Sequence, residues 1–340
     1  MRNDRSNDDG LPYTFERATG DASDSPAVED ISPGNDILGS IRRNPLALSG
    51  LIILVVLVLI AVIGQIAITY IPALDPDTVR LVDTLRPPLH LASDLVAVAD
   101  RPLFGRYLLG SDELGRCILA RMLQGTPIAL LIGFVAVGIA IGIGVLIGGA
   151  AGYFGDRRIG PFTLDGLLMR FTDVMLCFPT FFLILTVIVL VPPSIWNIMI
   201  VIGLTSWMGT ARLVRGELLT LRERDFVTAA HAMGIGKWRI LIVHCLPNTL
   251  GPVLVTATIA IAGAILTESA LSFLGFGVQP PFATWGSILA GSKHFIFDAP
   301  WLFYIPGFAI FIVVLAFNLV GEGLHDAFNP HASGPRGKIK

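Results

Sequence analysis

Mostly apolar stretches recur six times along this 340-residue chain, at 46–71, 128–153, 174–191, 195–211, 249–266 and 301–320. A helix needs about 20 mostly apolar residues, with a range of ~17–25, to cross a bilayer. Runs such as LIILVVLVLIAVIG have no polar face, which a helix on the surface of a water-soluble domain would require. The pattern therefore predicts an all-α polytopic membrane protein with six transmembrane helices. Between the spans, residues 72–127 read as an external segment of Pro-rich loop followed by an amphipathic piece, SDELGRCILARMLQG. There Leu114, Ile118 and Met122 repeat at helical spacing opposite Glu113, Arg116 and Arg121, which predicts a helix lying along the outer interface. A second external loop is expected over 275–300, with Trp285 at interfacial depth. In the second span, Gly144, Gly148 and Gly152 recur every four residues, as do Gly138 and Gly142. Such stripes let a neighbouring helix backbone approach closely.

Composition supports the bilayer as solvent. Apolar residues make up 53% and charged residues 15% of the chain, against about 25% charged in a soluble domain, and mean hydropathy is +0.72. Charge then sets orientation. With the N-terminus inside, seventeen Lys and Arg fall in cytoplasmic segments and seven outside, six of the seven in the long first external segment, where charge weighs little. Both termini are expected in the cytoplasm. Residues 1–36 hold nine acids and three bases and no sustained apolar run, so they read as a disordered cytoplasmic tail rather than a secretory signal. Residues 37–71 lead into and form the first span, 128–325 form the membrane core, and 326–340 read as a cytoplasmic C-terminal tail.

One polar, basic interruption, FVTAAHAMGIGKWRILIVHCLPN, lies between the fourth and fifth spans. Phe226, Ala229, Ala230 and Met233 share one face of a short helix. Gly234 suits the left-handed residue that ends it, and a second short helix runs through Trp238, Ile240, Leu241 and Ile242. Pro247 is placed at the opening of the fifth membrane helix, where a missing N–H costs nothing. The product is a stiff helical elbow whose apolar face needs something to dock on, either this chain's own helices or a partner.

TAAHAMG followed by HCLPN resembles the EAA loop of permease subunits of ATP-binding-cassette importers, through Ala229, Ala230, Gly234, Leu246 and Pro247. GSDELGRCILARMLQG, MRFTDVMLCFP, LTESALSFLGFGVQPPFATWGSIL and LAFNLVGEGLHDAFNP resemble, in order, further signatures of the second permease of the dipeptide/oligopeptide/nickel importers. The resemblance covers roughly residues 40–330. It implies a type I ABC importer permease fold in a bacterial inner membrane, with an EAA loop at 223–247 whose coupling helices lodge in a separate ATPase subunit. The coupling residues would be Phe226, Thr228, Ala229, Ala230, Met233, Gly234, His244, Leu246 and Pro247. It further implies a homologous permease as heterodimer partner, one or two ATPase subunits carrying ATP and Mg, an extracytoplasmic binding protein, and peptide as cargo, with nickel or another small solute as the alternative. The chain itself would bind no cofactor or metal. Thr228 stands where the family has Glu, and Cys117 and Ala120 stand where the external signature has Asp and Ser.

Other classes fit less well. GIGKW lacks the Ser or Thr after Lys237 and has His231 where a phosphate loop's first Gly belongs, so a nucleotide enzyme is not indicated. An ion-coupled secondary transporter would place ionisable groups at mid-membrane, and Glu268, late in the fifth span, is its best candidate. No histidine pair has metalloprotease spacing. Cys117, Cys177 and Cys245 give no zinc or disulfide pattern, and no basic patch suits nucleic acid. Asn197, Thr205, Ser206, Thr267, Glu268 and Ser269 are the candidates for lining a translocation pathway.

Overall fold

The computed structural model describes residues 44–328, together with Gly39 and Arg42. The tail at 1–36 and all but the start of the tail at 326–340 lie outside the described residues. Among the described residues four helices are long and apolar enough to cross a membrane: α1 (Pro45–Tyr70), α2 (Ile118–Phe154), α8 (Lys237–Leu274) and α10 (Trp301–Phe328). Two bent pairs raise the number of spans to as many as six: α3 (Leu164–Cys177) with α4 (Thr180–Leu190), bent by 83°, and α5 (Ile195–Leu204) with α6 (Met208–Arg222), bent by 41°. The remaining helices are α7 (Asp225–Ala232) and α9 (Trp285–Gly291). Among the described residues there are also short 3-10 turns and two short strand pairs, β1 (His90–Leu91) with β2 (Arg106–Tyr107) and β3 (Arg158–Ile159) with β4 (Phe162–Thr163).

The third and fourth spans are therefore not the straight helices that 174–191 and 195–211 suggest. Eleven residues of α4 reach only about 16 Å, half of a ~30 Å hydrocarbon core. The break before α4 falls at Phe178 and Pro179, where Phe178 is extended. Proline lacks an N–H for the helical ladder and pushes the residue before it out of the helical region. Between α5 and α6 the Thr205 hydroxyl donates to the Val201 carbonyl at 2.7 Å, a side-chain bond at a helix end that competes with the backbone ladder.

α2 is the hub, packed against α1, α5, α6 and α8, while α10 packs on α8 and α1. Its glycine stripe meets α6 as the sequence anticipates. A Cβ on Gly144 would sit 2.6 Å from the Thr210 Cβ, one on Gly152 2.9 Å from the Arg215 carbonyl oxygen, and one on Gly148 against the Ala211 carbonyl. Gly138 and Gly142 have nothing within 4 Å, so among the described residues only the first stripe meets another helix. α3 is fastened to α6 by two ion pairs. Arg215 grips Asp165 through Nε and Nη2 at 2.5 and 2.6 Å, and Arg212 pairs with Asp173.

The amphipathic interfacial helix does not form. Residues 111–117 make a tight turn organised by Asp112, whose carboxylate accepts from the Leu114 and Arg116 amides at 2.9 and 2.8 Å. It also accepts from Arg116 Nε at 2.7 Å and Arg121 Nη1 at 2.5 Å. A buried carboxylate that satisfies two free amides outcompetes an isolated interfacial turn. Ile118 and Met122 belong instead to the first turns of α2, buried in the core. Asp83 similarly gathers Arg86, Ser93 and Tyr107 in the preceding loop. Trp285 is fully buried within the protein, its Nε1 facing the Met122 carbonyl at 3.4 Å against Gly125. At the other end, α10 runs three residues into the expected C-terminal tail.

Candidate functional site: a helical elbow between two spans

The polar stretch forms the elbow that its sequence suggests. α7 ends in a reciprocal pair of backbone bonds, from the Gly234 amide to the His231 carbonyl (3.0 Å) and from the Ile235 amide to the Ala230 carbonyl (3.1 Å). Gly234 has φ +76°, the left-handed conformation such an ending needs and that glycine adopts without steric cost. The chain turns at once into α8. Its start differs from expectation. The second short helix, the π-helical turn Ile240–Cys245 and the fifth span are one continuous helix of 38 residues, about 57 Å long. Pro247 is thus inside a helix rather than at its opening. The wider π turn just before it accommodates a residue that can neither donate to the ladder nor clear the preceding carbonyl. Elbow and span are a single lever.

The elbow has two faces. Val227 and Ala230 are buried with Ile240, Leu241 and Cys245 against Tyr153, Val214 and Leu218, so one stripe does pack on the chain's own helices. Of the face expected from spacing, only Ala230 is buried. Phe226 (44% exposed), Ala229 and Met233 (72% exposed) point away, with Trp238 (67% exposed) beside them. Thr228 is exposed, its hydroxyl turned back to the Arg224 carbonyl at 3.4 Å. His244 and Leu246 are half-buried and Pro247 is exposed. Sequence spacing missed the inner stripe, although Val227 and Ala230 stand at i and i+3. The alanine pair drew attention to the adjacent face. A three-residue step alone does not say which side meets the protein.

The six pathway candidates separate. Ser206 and Thr267 face one cavity of about 230 Å³ between α2, α5 and α8, otherwise walled by Ala136, Val137, Ala140, Ile202, Ala260, Gly263 and Ala264. Thr205 and Ser269 are buried, and the half-buried Asn197 amide donates to the Pro192 carbonyl at 2.8 Å. Glu268, only 1% exposed, accepts from the Ser272 hydroxyl at 2.6 Å. Ser272 in turn reaches the Thr284 hydroxyl and the Val278 amide at 3.4 and 3.3 Å. Through Ser272 this acid ties the loop after α8 to the end of that helix. Among the described residues no group of three or more His, Cys, Asp or Glu side chains is placed to hold a metal ion.

The described residues thus form a bundle of membrane-length helices with a stiff, half-covered elbow at the root of one span. Comparison with known proteins gives that bundle a class. The family described as binding-protein-dependent transport system inner membrane component matches residues 140–334. The N-terminal TM domain of oligopeptide transport permease C matches residues 32–88. The dipeptide transport system permease protein DppC of Alkalihalophilus pseudofirmus is 36% identical, over 90% of this chain and 94% of that one. The oligopeptide transport system permease protein OppC of Bacillus subtilis is 32% identical, over 93% and 96%. The inward-facing MetNI methionine ABC transporter shares the fold, with a TM-score of 0.51 at 17% identity over 62% of this chain and 97% of that one. The chain belongs to the binding-protein-dependent transport system inner membrane components. It is a permease subunit with an ABC-importer permease fold.

Proposed function

We propose that this chain is one of two homologous permeases of an inner-membrane importer of di- and oligopeptides, driven by separate cassette ATPases and supplied by an extracytoplasmic binding protein. Cargo is read from the dipeptide and oligopeptide permeases it resembles. The elbow, with both chain ends, lies on the cytoplasmic side, in keeping with the excess of Lys and Arg there. ATP binding draws the ATPases together, the elbows follow, and the membrane helices tilt between inward- and outward-facing arrangements around the Ser206 and Thr267 cavity. The chain has no chemistry of its own to perform.

One observation carries this reading. The start of α8 is continuous with a span, and α7, joined to it by the Gly234 turn, shares its buried inner stripe yet leaves Phe226 and Met233 exposed. A lever must be fixed at one side and gripped at the other, and this element has both properties. In a background with the three native cysteines replaced, Met233→Cys should cross-link to an ATPase subunit, with a yield that changes with nucleotide. Labelling of that cysteine from outside intact cells by a membrane-impermeant thiol reagent would refute the topology. Absence of any cross-link throughout turnover would refute the coupling role.

A further inference from the structure

Beside the elbow lies a cleft of about 730 Å³ that none of the named coupling residues lines. It is lined by Tyr153, Phe154, Asp156, Arg157, Arg222, His231, Lys237 and Trp238. Five elements converge there: the end of α2, the loop after it, the end of α6 and the two arms of the elbow, α7 and α8. Three permanent cations face it and one carboxylate. Arg222 is engaged, donating to Asp156 at 2.5 Å and to the Gly152 carbonyl at 3.3 Å. Arg157 and Lys237 have no side-chain hydrogen bond or ion pair among the described residues. The Tyr153 hydroxyl and His231 Nε2 lie 3.4 Å apart at its wall. Trp238 rests on Phe154, ring centroids 4.6 Å apart, and is otherwise exposed.

We infer that this cleft holds the phosphate of an anionic phospholipid headgroup. Two uncompensated cations beside a paired one leave an excess of positive charge that an acidic phosphate would neutralise. Basic pockets between spans on the cytoplasmic side take such headgroups, and juxtamembrane Lys and Arg gain from the anionic leaflet. Two features favour lipid over an acidic stretch of a partner protein. The cleft sits where α2 and α8 pass between apolar and polar sequence. Its rim carries an exposed tryptophan tilted against a phenylalanine, the pairing of apolar ring and polar edge that interfacial belts use. A headgroup bridging Arg157 and Lys237 would brace the elbow against α2 and fix the angle of the lever.

The inference rests on the elbow facing the inner leaflet, but its test does not require coupling. The full-length chain, purified in detergent, is examined by native mass spectrometry for retention of phosphatidylglycerol against phosphatidylcholine. Preferential retention of phosphatidylglycerol is expected, weakened roughly tenfold to thirtyfold by Arg157→Gln with Lys237→Gln and unchanged by Arg158→Gln, which lies outside the cleft. Melting temperature in phosphatidylcholine, equal for all three chains, controls for folding. If the double variant fails that control, each single variant is read in its place, with a smaller loss expected. Equal retention of both lipids, or indifference to removing the two cations, would overturn the site. Stabilisation by inorganic phosphate in phosphatidylcholine, matching that by phosphatidylglycerol, would overturn the lipid as its occupant. Loss of the bound lipid when an ATPase subunit docks would assign the cleft to that protein. Failure of the Met233→Cys cross-link with lipid retention intact would remove the coupling role and leave this site standing.

Discussion

Gly234 is the most exposed test of the lever. Its φ of +76° is a conformation that costs an ordinary L-residue roughly 1–2 kcal/mol. Its amide is one of the two that close α7. No neighbour lies within 4 Å of a Cβ built there, so Gly234→Ala adds backbone strain and no clash. That strain would shift the elbow away from its docked shape by up to roughly 5–30-fold. Gly234→Pro is more severe, because proline fixes φ near about −65° and has no N–H to donate, so the closing turn cannot form at all. Neither change touches a span, so insertion and expression should be normal. In proteoliposomes containing the assembled transporter, uptake per ATP hydrolysed should fall in part for the alanine variant and collapse for the proline variant, with hydrolysis continuing. Wild-type uptake by Gly234→Pro at wild-type expression would refute the argument that a rigid elbow transmits the stroke.

Two further outcomes follow from packing and charge. Gly148→Leu should lower the melting temperature of the purified chain sharply, because its Cβ would meet the Ala211 carbonyl on a backbone that cannot yield, whereas Gly138→Leu, with open space around it, should leave it near wild type. Equal effects would mean that the glycine stripe does not set the α2–α6 approach. Glu113, in the turn before α2, has its carboxyl raised above the usual value, first by burial and then by Asp112. A carboxyl whose folded pKa is raised favours the folded state while protonated, and that contribution is lost as pH rises through the folded value. Glu113→Gln should therefore flatten the fall in melting temperature as pH climbs above 4.5 and raise stability at neutral pH. An unchanged pH profile would show that the carboxyl is solvated.

Much of this protein is legible along the chain because the bilayer imposes one strong rule, that a span must be long, apolar and helical. That rule locates α1, α2, α8 and α10, and the four-residue spacing of Gly144, Gly148 and Gly152 foretells which side of α2 is approached. Gly234 announces the end of α7 because few residues tolerate that backbone. What the sequence could not decide was any choice between comparable local options. Pro179 and Thr205 bend the third and fourth spans, and Pro247 does not interrupt the fifth, although each residue is locally disruptive. The difference lies in whether a neighbouring turn, here the π-helical Ile240–Cys245, can absorb the defect. Leu114, Ile118 and Met122 have helical spacing, yet Asp112 captures the amides of the first turn. Val227 and Phe226 are adjacent and equally apolar, and only the position of Tyr153, Val214 and Leu218 buries one and exposes the other. Periodicity states that a face exists. Which surface covers it, and which is left for a partner, is settled by helices distant in sequence.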